Sequence, residues 1–562
     1  MRLGERVQAK AEERRWLILG VLCFSLLVIV LDNSILNVAL PTIVKELNAS
    51  DSQLQWMVDA YTLVFAGLLL TMGSVGDKYG RRPALQAGFL IFGTGSALSA
   101  LSGSANQLIA SRAFMGIGSA LIMPATLSII TNIFPGRDRA KAIGIWAATA
   151  GVGVALGPLT GGALLERFYW GSIFLVNIPI VLVGVLAGIF LIPNSKDPNA
   201  PSLDLVGAVL SIAGLSALLF AVIEAPTSGW TAPKILAFFF AGGILLAVFF
   251  WWERRVDHPM LDTRFWKNPR FSAASGAITI AFFAMFGSIF LLTQYLQFVL
   301  NYSPLSTGVR LLAFAVPMMV VAPLSPRIVD FIGTKRTVAL GLGCVAGGLA
   351  VLASANQATP FLHLAWPMAL TATGMALTFS PATESIMGSL PLARAGVGSA
   401  VNDTTRQVGG AVGVAVVGSV FSSIYGAKVV SALQGHSLPA GLVTEAKQQL
   451  GFALEAAARL PHAAQGLFVR LAQGSFIQGF HAGLLVAAAT AAVVIIPVLV
   501  FLPSRPRAQD VERQAAEFGR DRTGGWVGAT PEPDGAGDAA ASPAPVRDGN
   551  AGQPAPSPAR LP

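Results

Sequence analysis

Of the 562 residues, 54% are hydrophobic and only 12% are charged, too few charges to coat a soluble globule of this size. The chain therefore reads as an integral membrane protein, and the net charge of +9 gathers in short links between apolar stretches, as the positive-inside rule expects, rather than on a nucleic-acid surface. Two cysteines, Cys23 and Cys344, both within apolar stretches, leave no room for a disulfide framework or a cysteine-rich metal site.

A helix needs about 20 mostly apolar residues to cross a bilayer. The basic start (Arg2, Arg6, Lys10, Arg14, Arg15) precedes such a stretch without a small-residue cleavage site, so a retained first helix is expected rather than a signal peptide. In chain order the window gives about fourteen spans, at 16–36, 55–75, 84–103, 107–131, 141–164, 171–192, 205–224, 234–252, 272–298, 306–325, 337–354, 362–386, 400–424 and 478–502. Links after the even-numbered spans carry Lys78/Arg81/Arg82, Arg137/Arg139/Lys141, Lys196, Arg254 to Arg270, Lys335/Arg336 and Arg394, while the opposite links hold few basic residues. Both termini are thus expected on the cytoplasmic side of a cell inner (cytoplasmic) membrane.

The link Gly73-Ser-Val-Gly-Asp77-Lys-Tyr-Gly80-Arg81-Arg82 is echoed at 326–336, each between the second and third helices of a six-helix half. The expected all-α organisation is a six-helix half over 1–196, two inserted helices and a link over 197–270, and a second six-helix half over 271–504. An external helical cap is expected at 426–476, built on two amphipathic stretches, 442–460 and 463–471. A Pro/Ala/Gly/Asp-rich tail at 505–562 is expected to be disordered.

Acidic residues inside spans cost a few kcal/mol each unless they face a cavity or a partner, which makes them informative. They are Asp32, in a polar arc with Asn33, Ser34 and Asn37, then Asp59, Glu224, Glu384 and Asp403. Arg112, buried in the fourth span, needs a carboxylate or carbonyl partner, with Asp32 and Asp59 the nearest by helix neighbourhood; Arg406 can neutralise Asp403 or Glu384. Gly153, Gly157 and Gly161 repeat every four residues and form one smooth seam suited to two halves that rock, while Pro158, in the same Gly153–Gly162 motif, frees a backbone carbonyl and bends the helix. Trp56, Tyr61, Phe286, Phe290 and Tyr295 are candidates for an apolar pocket that binds a lipophilic cation. With no phosphate-binding Gly-rich loop, zinc His pair or nucleophile elbow, an enzyme or ATP-driven pump is not expected.

These residues resemble the major facilitator superfamily, specifically its fourteen-helix drug:proton antiporters. The 73–82 link looks like motif A, Arg112 with Gly116 like motif B, Gly153 to Gly162 like the antiporter motif C, and Leu31 to Pro41 like the group's first-helix motif. The resemblance covers roughly residues 10–504. The segments Gln55 to Tyr61, Tyr169 to Pro179 and Asn402 to Gly410 are similar to exporters of quaternary ammonium compounds, methyl viologen and cationic dyes. The resemblance implies a monomeric, alternating-access exporter of lipophilic cations that uses the proton gradient and no cofactor. Asp32 and Asp59 would be its proton or cation carboxylates, and Arg112 would support coupling. The tenth span departs from that pattern in having no acidic residue. An exporter of an endogenous metabolite, lipid or self-made antibiotic is the nearest alternative, and a receptor or scaffold that retains the fold is a more distant one.

Overall fold

The computed structural model describes residues 13–504 apart from 48, 50, 197–202, 257–258 and 435–439, so the tail and the first basic residues lie outside it. Among the described residues the chain is helical throughout. The first six long helices are α1 (Arg15–Leu47), α2 (Asp51–Tyr79), α3 (Arg81–Ala100), α4 (Ala105–Ile133), α5 (Gly136–Leu165) and α6 (Asn177–Leu191). An antiparallel pair follows, α7 (Leu205–Ser228) and α8 (Pro233–Glu253). The rest comprises α9 (Pro269–Gln294), α10 (Pro304–Ile332), α11 (Thr334–Leu352), α12 (Phe361–Met387), α13 (Ala395–Leu433), the short α14 (Ala440–Gln448) and α15 (Leu450–Ala457), and α16 (His462–Phe501). Local chemistry sets several starts: Ser104, Asp204, Asn268 and Ser303 cap α4, α7, α9 and α10 with side-chain oxygens, and proline opens α8, α9 and α10.

Fourteen of these helices are long, yet only twelve are both long and apolar enough to cross a membrane by composition. The two that fall short are α3 and α12. Their buried faces carry Ser96 and Ser99 in α3 and Thr371, Thr378, Ser380 and Thr383 in α12, which lowers hydropathy without exposing polar atoms to lipid.

In the first half α2 and α3 pack on α4, and α1 packs on α5 and α6; in the second, α9 packs on α13, α11 on α12, and α16 on α11 and α13. The halves meet along α5 with α10 and along α2 with α13, while α7 rests against both α2 and α13. The sequence echo has a geometric counterpart. Gly80 and Gly333 both take positive φ (113° and 85°), and the next residue's N–H donates to a carbonyl just past the sixth helix of its half, Arg81 to Ser195 and Thr334 to Ser504, each at 2.9 Å. Asp77 and Asp330 precede the two glycines by three residues, but Thr334 stands where the first link has Arg81.

The glycine stripe lies elsewhere than expected. Gly153, Gly157 and Gly161 press on α1 of their own half, at Val30, Ser34 and Ile35. The seam between halves is a different side of α5, about 125° round the helix from that stripe. There a methyl group on Gly144 would lie 2.5 Å from the Ala322 carbonyl oxygen, Gly151 faces Met318, Pro158 meets Gly308 and Gly162 faces Leu305. The cap is also smaller than expected. Tyr425 donates to the Ala446 carbonyl at 2.8 Å and holds α14 on α13, whereas the 463–471 stretch forms the first turns of α16, because no proline follows Pro461 until Pro497.

Gly144→Val should open the α5/α10 seam and lower the melting temperature of the purified protein, with a cost of about 1–3 kcal/mol for overpacking. Gly20→Ala, where a methyl group meets nothing within 4 Å, should leave it unchanged in the same thermal-shift assay.

Candidate functional site

A carboxylate and a guanidinium, both with no solvent exposure, meet where α1 crosses α4: Arg112 Nη1 pairs with Asp32 Oδ2. Neither charge can be left alone in a low-dielectric interior, and the surroundings answer both. Asn177, at the start of α6, donates to Asp32 Oδ1 at 2.9 Å and to Ser96 Oγ of α3 at 3.0 Å; Ser96 Oγ in turn donates to the Phe174 carbonyl at 2.8 Å. Arg112 Nε donates to the Met57 carbonyl of α2 at 3.2 Å, and Nη2 to Asn33 Oδ1 at 3.4 Å. The guanidinium lies 4.4 Å from the centroid of the Tyr61 ring, whose hydroxyl is 2.7 Å from Ser119 Oγ. The network centred on this carboxylate thus joins α1, α4 and α6 directly, and α2 and α3 through Arg112 and Asn177.

Asp59 stands two residues past Met57, half-buried on α2. Its neighbour Trp56 stacks on Phe220 of α7 at 5.7 Å. The Asn37 side chain lies outside the described residues.

At the face that carries the 73–82 link, the two halves are bolted together. The residue before α13 is Arg394, which offers no side-chain cap, and Asp77 of the opposite half takes over that task. Asp77 Oδ1 accepts from the Gly396 N–H at 2.9 Å and Oδ2 from the Val397 N–H at 3.1 Å, at the positive end of the helix dipole. Arg81 binds Asp77 through Nε (3.0 Å) and Nη2 (2.8 Å) and reaches across to the Leu392 carbonyl at 2.9 Å. Gly73 allows the approach, since a methyl group there would sit 2.7 Å from Ala400 Cβ and from the Gly396 carbonyl oxygen. Arg82 Nη1 donates to the Ile192 carbonyl at 3.4 Å. A second bolt joins α5 to α12, where Arg139 grips Glu384 through Nε (3.0 Å) and Nη2 (2.6 Å). Glu384, expected among the coupling carboxylates, is placed at this bolt and only about one-fifth exposed.

Asp403 is fully buried on α13 and pairs with Arg406 at 3.1 Å. The aromatic candidates do not converge on one pocket. Tyr61 lies under Arg112, Phe286 faces Gly410 of α13 and Phe290 faces Gly418, both about two-fifths exposed, and Tyr295 is buried, bonded to the Asn356 carbonyl at 2.7 Å and stacked on Phe480. Sequence reasoning missed the roles of Asn177, Arg139 and Trp146. Asn177 stood inside a matched segment with no assigned partner, Arg139 counted only as a link charge, and Trp146 gave no signal beyond its apolar span.

Arg112→Met should destabilise the purified protein by about 3–5 kcal/mol, the scale for breaking one side of a buried ion pair. Asp32→Asn combined with Arg112→Met should recover much of that loss in a thermal-unfolding comparison, because no uncompensated charge remains buried.

The family model for the Major Facilitator Superfamily matches residues 22–414. The chain is 36% identical to the multidrug efflux pump LfrA of Mycolicibacterium smegmatis over 87% of this chain and 98% of that protein. It is 32% identical to the methyl viologen resistance protein SmvA of Salmonella typhimurium over 83% and 93%. Among solved structures, the human organic anion transporter MFSD10 (TETRAN) superimposes with a TM-score of 0.56 at 14% identity, over 87% of this chain and 99% of that one. The chain belongs to the Major Facilitator Superfamily, and it is a multi-pass membrane transporter rather than an enzyme.

Proposed function

We propose that this transporter exports lipophilic cations in exchange for protons, as a monomer in the cytoplasmic membrane with both termini inside. The observation that carries this reading is the wholly buried Asp32–Arg112 pair, a carboxylate whose hydrogen-bond network reaches five helices of one half. The names of the relatives, a multidrug efflux pump and a methyl viologen resistance protein, support the substrate class.

On this reading the face closed by Asp77 and by Arg139–Glu384 is cytoplasmic, and the state described is the one loaded from outside. A proton arriving at Asp32 cancels its charge and weakens its hold on Arg112. The first half then rearranges, the bolts at the cytoplasmic face part, and the cavity opens inward. A cation bound from the cytoplasm competes with the proton for negative charge, and that competition is the coupling. Asp59, half-buried on the neighbouring helix, is the second carboxylate available to this exchange. Asp77 and Arg81 stabilise one state without touching substrate.

Cells that express the protein should accumulate less ethidium than controls, and a protonophore should erase the difference. Asp32→Asn at matched expression should abolish proton-driven efflux; full transport by that variant would rule Asp32 out as the coupling group. Unchanged ethidium levels in wild-type cells would instead favour an exporter of an endogenous product. Asp77→Asn should lower turnover about tenfold, the worth of one charge-assisted hydrogen-bond set, with little change in KM. A pure KM effect would contradict the latch role.

A further inference from the structure

The second buried ion pair differs from the first in a way that points to the substrate's own seat. Arg406 projects from α13 and is buried, and its guanidinium lies against three aromatic rings, at 4.7 Å from the centroid of Phe379, 4.8 Å from Phe282 and 5.5 Å from Trp146. Phe379 and Phe282 come from α12 and α9 of the second half, while Trp146 comes from α5 of the first. Such a three-walled box is the geometry that recognises quaternary ammonium and other delocalised cations. Here the protein fills it with its own cation.

The filling is loosely held. Asp403 is wholly buried and its Oδ1 receives Arg406 Nη1 at 3.1 Å and Asn402 Nδ2 at 3.3 Å, with Asn402 in turn bonded by Thr383 at 3.0 Å. Asp403 Oδ2, Arg406 Nε and Trp146 Nε1 are buried with no hydrogen-bond partner among the described residues. In the Asp32–Arg112 pair both carboxylate oxygens and three guanidinium nitrogens are bonded. The first pair is therefore built to stay, and the second to exchange. Because Trp146 belongs to the opposite half, any rocking at the α5/α10 seam dismantles the box.

We propose that Arg406 is a built-in stand-in for the transported cation: it occupies the Trp146–Phe282–Phe379 box and neutralises Asp403 when no substrate is present. When the halves rock, Arg406 swings out, a lipophilic cation enters the box, and Asp403 becomes its counter-ion. The inference rests on the cation-export reading above and extends it to the seat of the substrate. The empty carrier never holds an unpaired Asp403, and bound substrate replaces the charge it displaces.

Equilibrium binding of tetraphenylphosphonium to the purified, detergent-solubilised protein at pH 8 tests this without transport. Arg406→Gln removes the competitor and should tighten binding about tenfold, the equivalent of one displaced ion-pair contact. Trp146→Leu keeps the Asp403–Arg406 pair but removes a wall, and should weaken binding about fivefold or more, the scale of one desolvated cation–π contact, with Trp146→Tyr restoring most of it. Unchanged or weaker binding in Arg406→Gln, with wild type binding normally, overturns the stand-in role alone. If Arg406→Gln does not fold, Trp146→Leu decides, and unchanged affinity there overturns the box. Absence of binding in wild type and variants alike removes both this inference and the cation-export reading.

Discussion

Charge with no exposure to water or lipid has to be answered from within the protein, and in this molecule that requirement organises the first half. Asp32 and Arg112 would each be costly alone, so the helices around them supply Asn177, Met57, Asn33 and the Tyr61 ring. The α6 start is a consequence: the chain breaks after a single turn at Ser172–Leu175 and restarts at Asn177, which puts that side chain against Asp32 and Ser96. Packing that in a soluble protein would follow apolar area here follows the demands of one ion pair.

The charged groups then sort by how completely they are satisfied. Asp32–Arg112 is closed on every side and acts as a hub. Asp77–Arg81 and Arg139–Glu384 sit at one face and span the two halves, Asp77 by capping a helix that lacks its own cap. Asp403–Arg406 leaves Asp403 Oδ2 and Arg406 Nε unanswered and has three rings around its cation. A hub, a pair of bolts and an exchangeable pair are the parts that alternating access needs, and each is assigned by hydrogen-bond satisfaction rather than by residue type. The halves meet on the Gly144, Gly151, Pro158 and Gly162 line, where small residues let α5 and α10 approach closely.

Much of this was legible in the sequence because membrane physics is strict. Apolar length marked the helices, loop charge marked the two faces, and the rarity of intramembrane carboxylates singled out Asp32 and Asp403. For Arg112 the scarcity of acids left Asp32, Asp59 or a carbonyl as partner, and the structure pairs it with Asp32. What escaped was whatever depends on helix rotation. A four-residue glycine repeat showed that something packs closely on α5, but not whether α1 or α10 does; the second line, Gly144–Gly151–Pro158, repeats at seven and carried no alert. Both α3 and α12 were among the expected spans although they are less apolar than the other twelve, because helices enclosed by protein tolerate serine and threonine. Trp146 was invisible as a site residue because a buried tryptophan in an apolar span looks like packing until Arg406 is found against it.

The central claim is that a proton held in the Asp32 network and a cation seated at Asp403 oppose each other through the two states of the carrier. Proton release on substrate binding tests it most directly: tetraphenylphosphonium added to purified protein in weakly buffered detergent solution, with a pH indicator as the readout. The account predicts saturable acidification from the wild-type protein, in proportion to bound cation, and a smaller or absent signal from Asp32→Asn. Cation binding of undiminished affinity with no proton released across the range from pH 5 to pH 8 would contradict it.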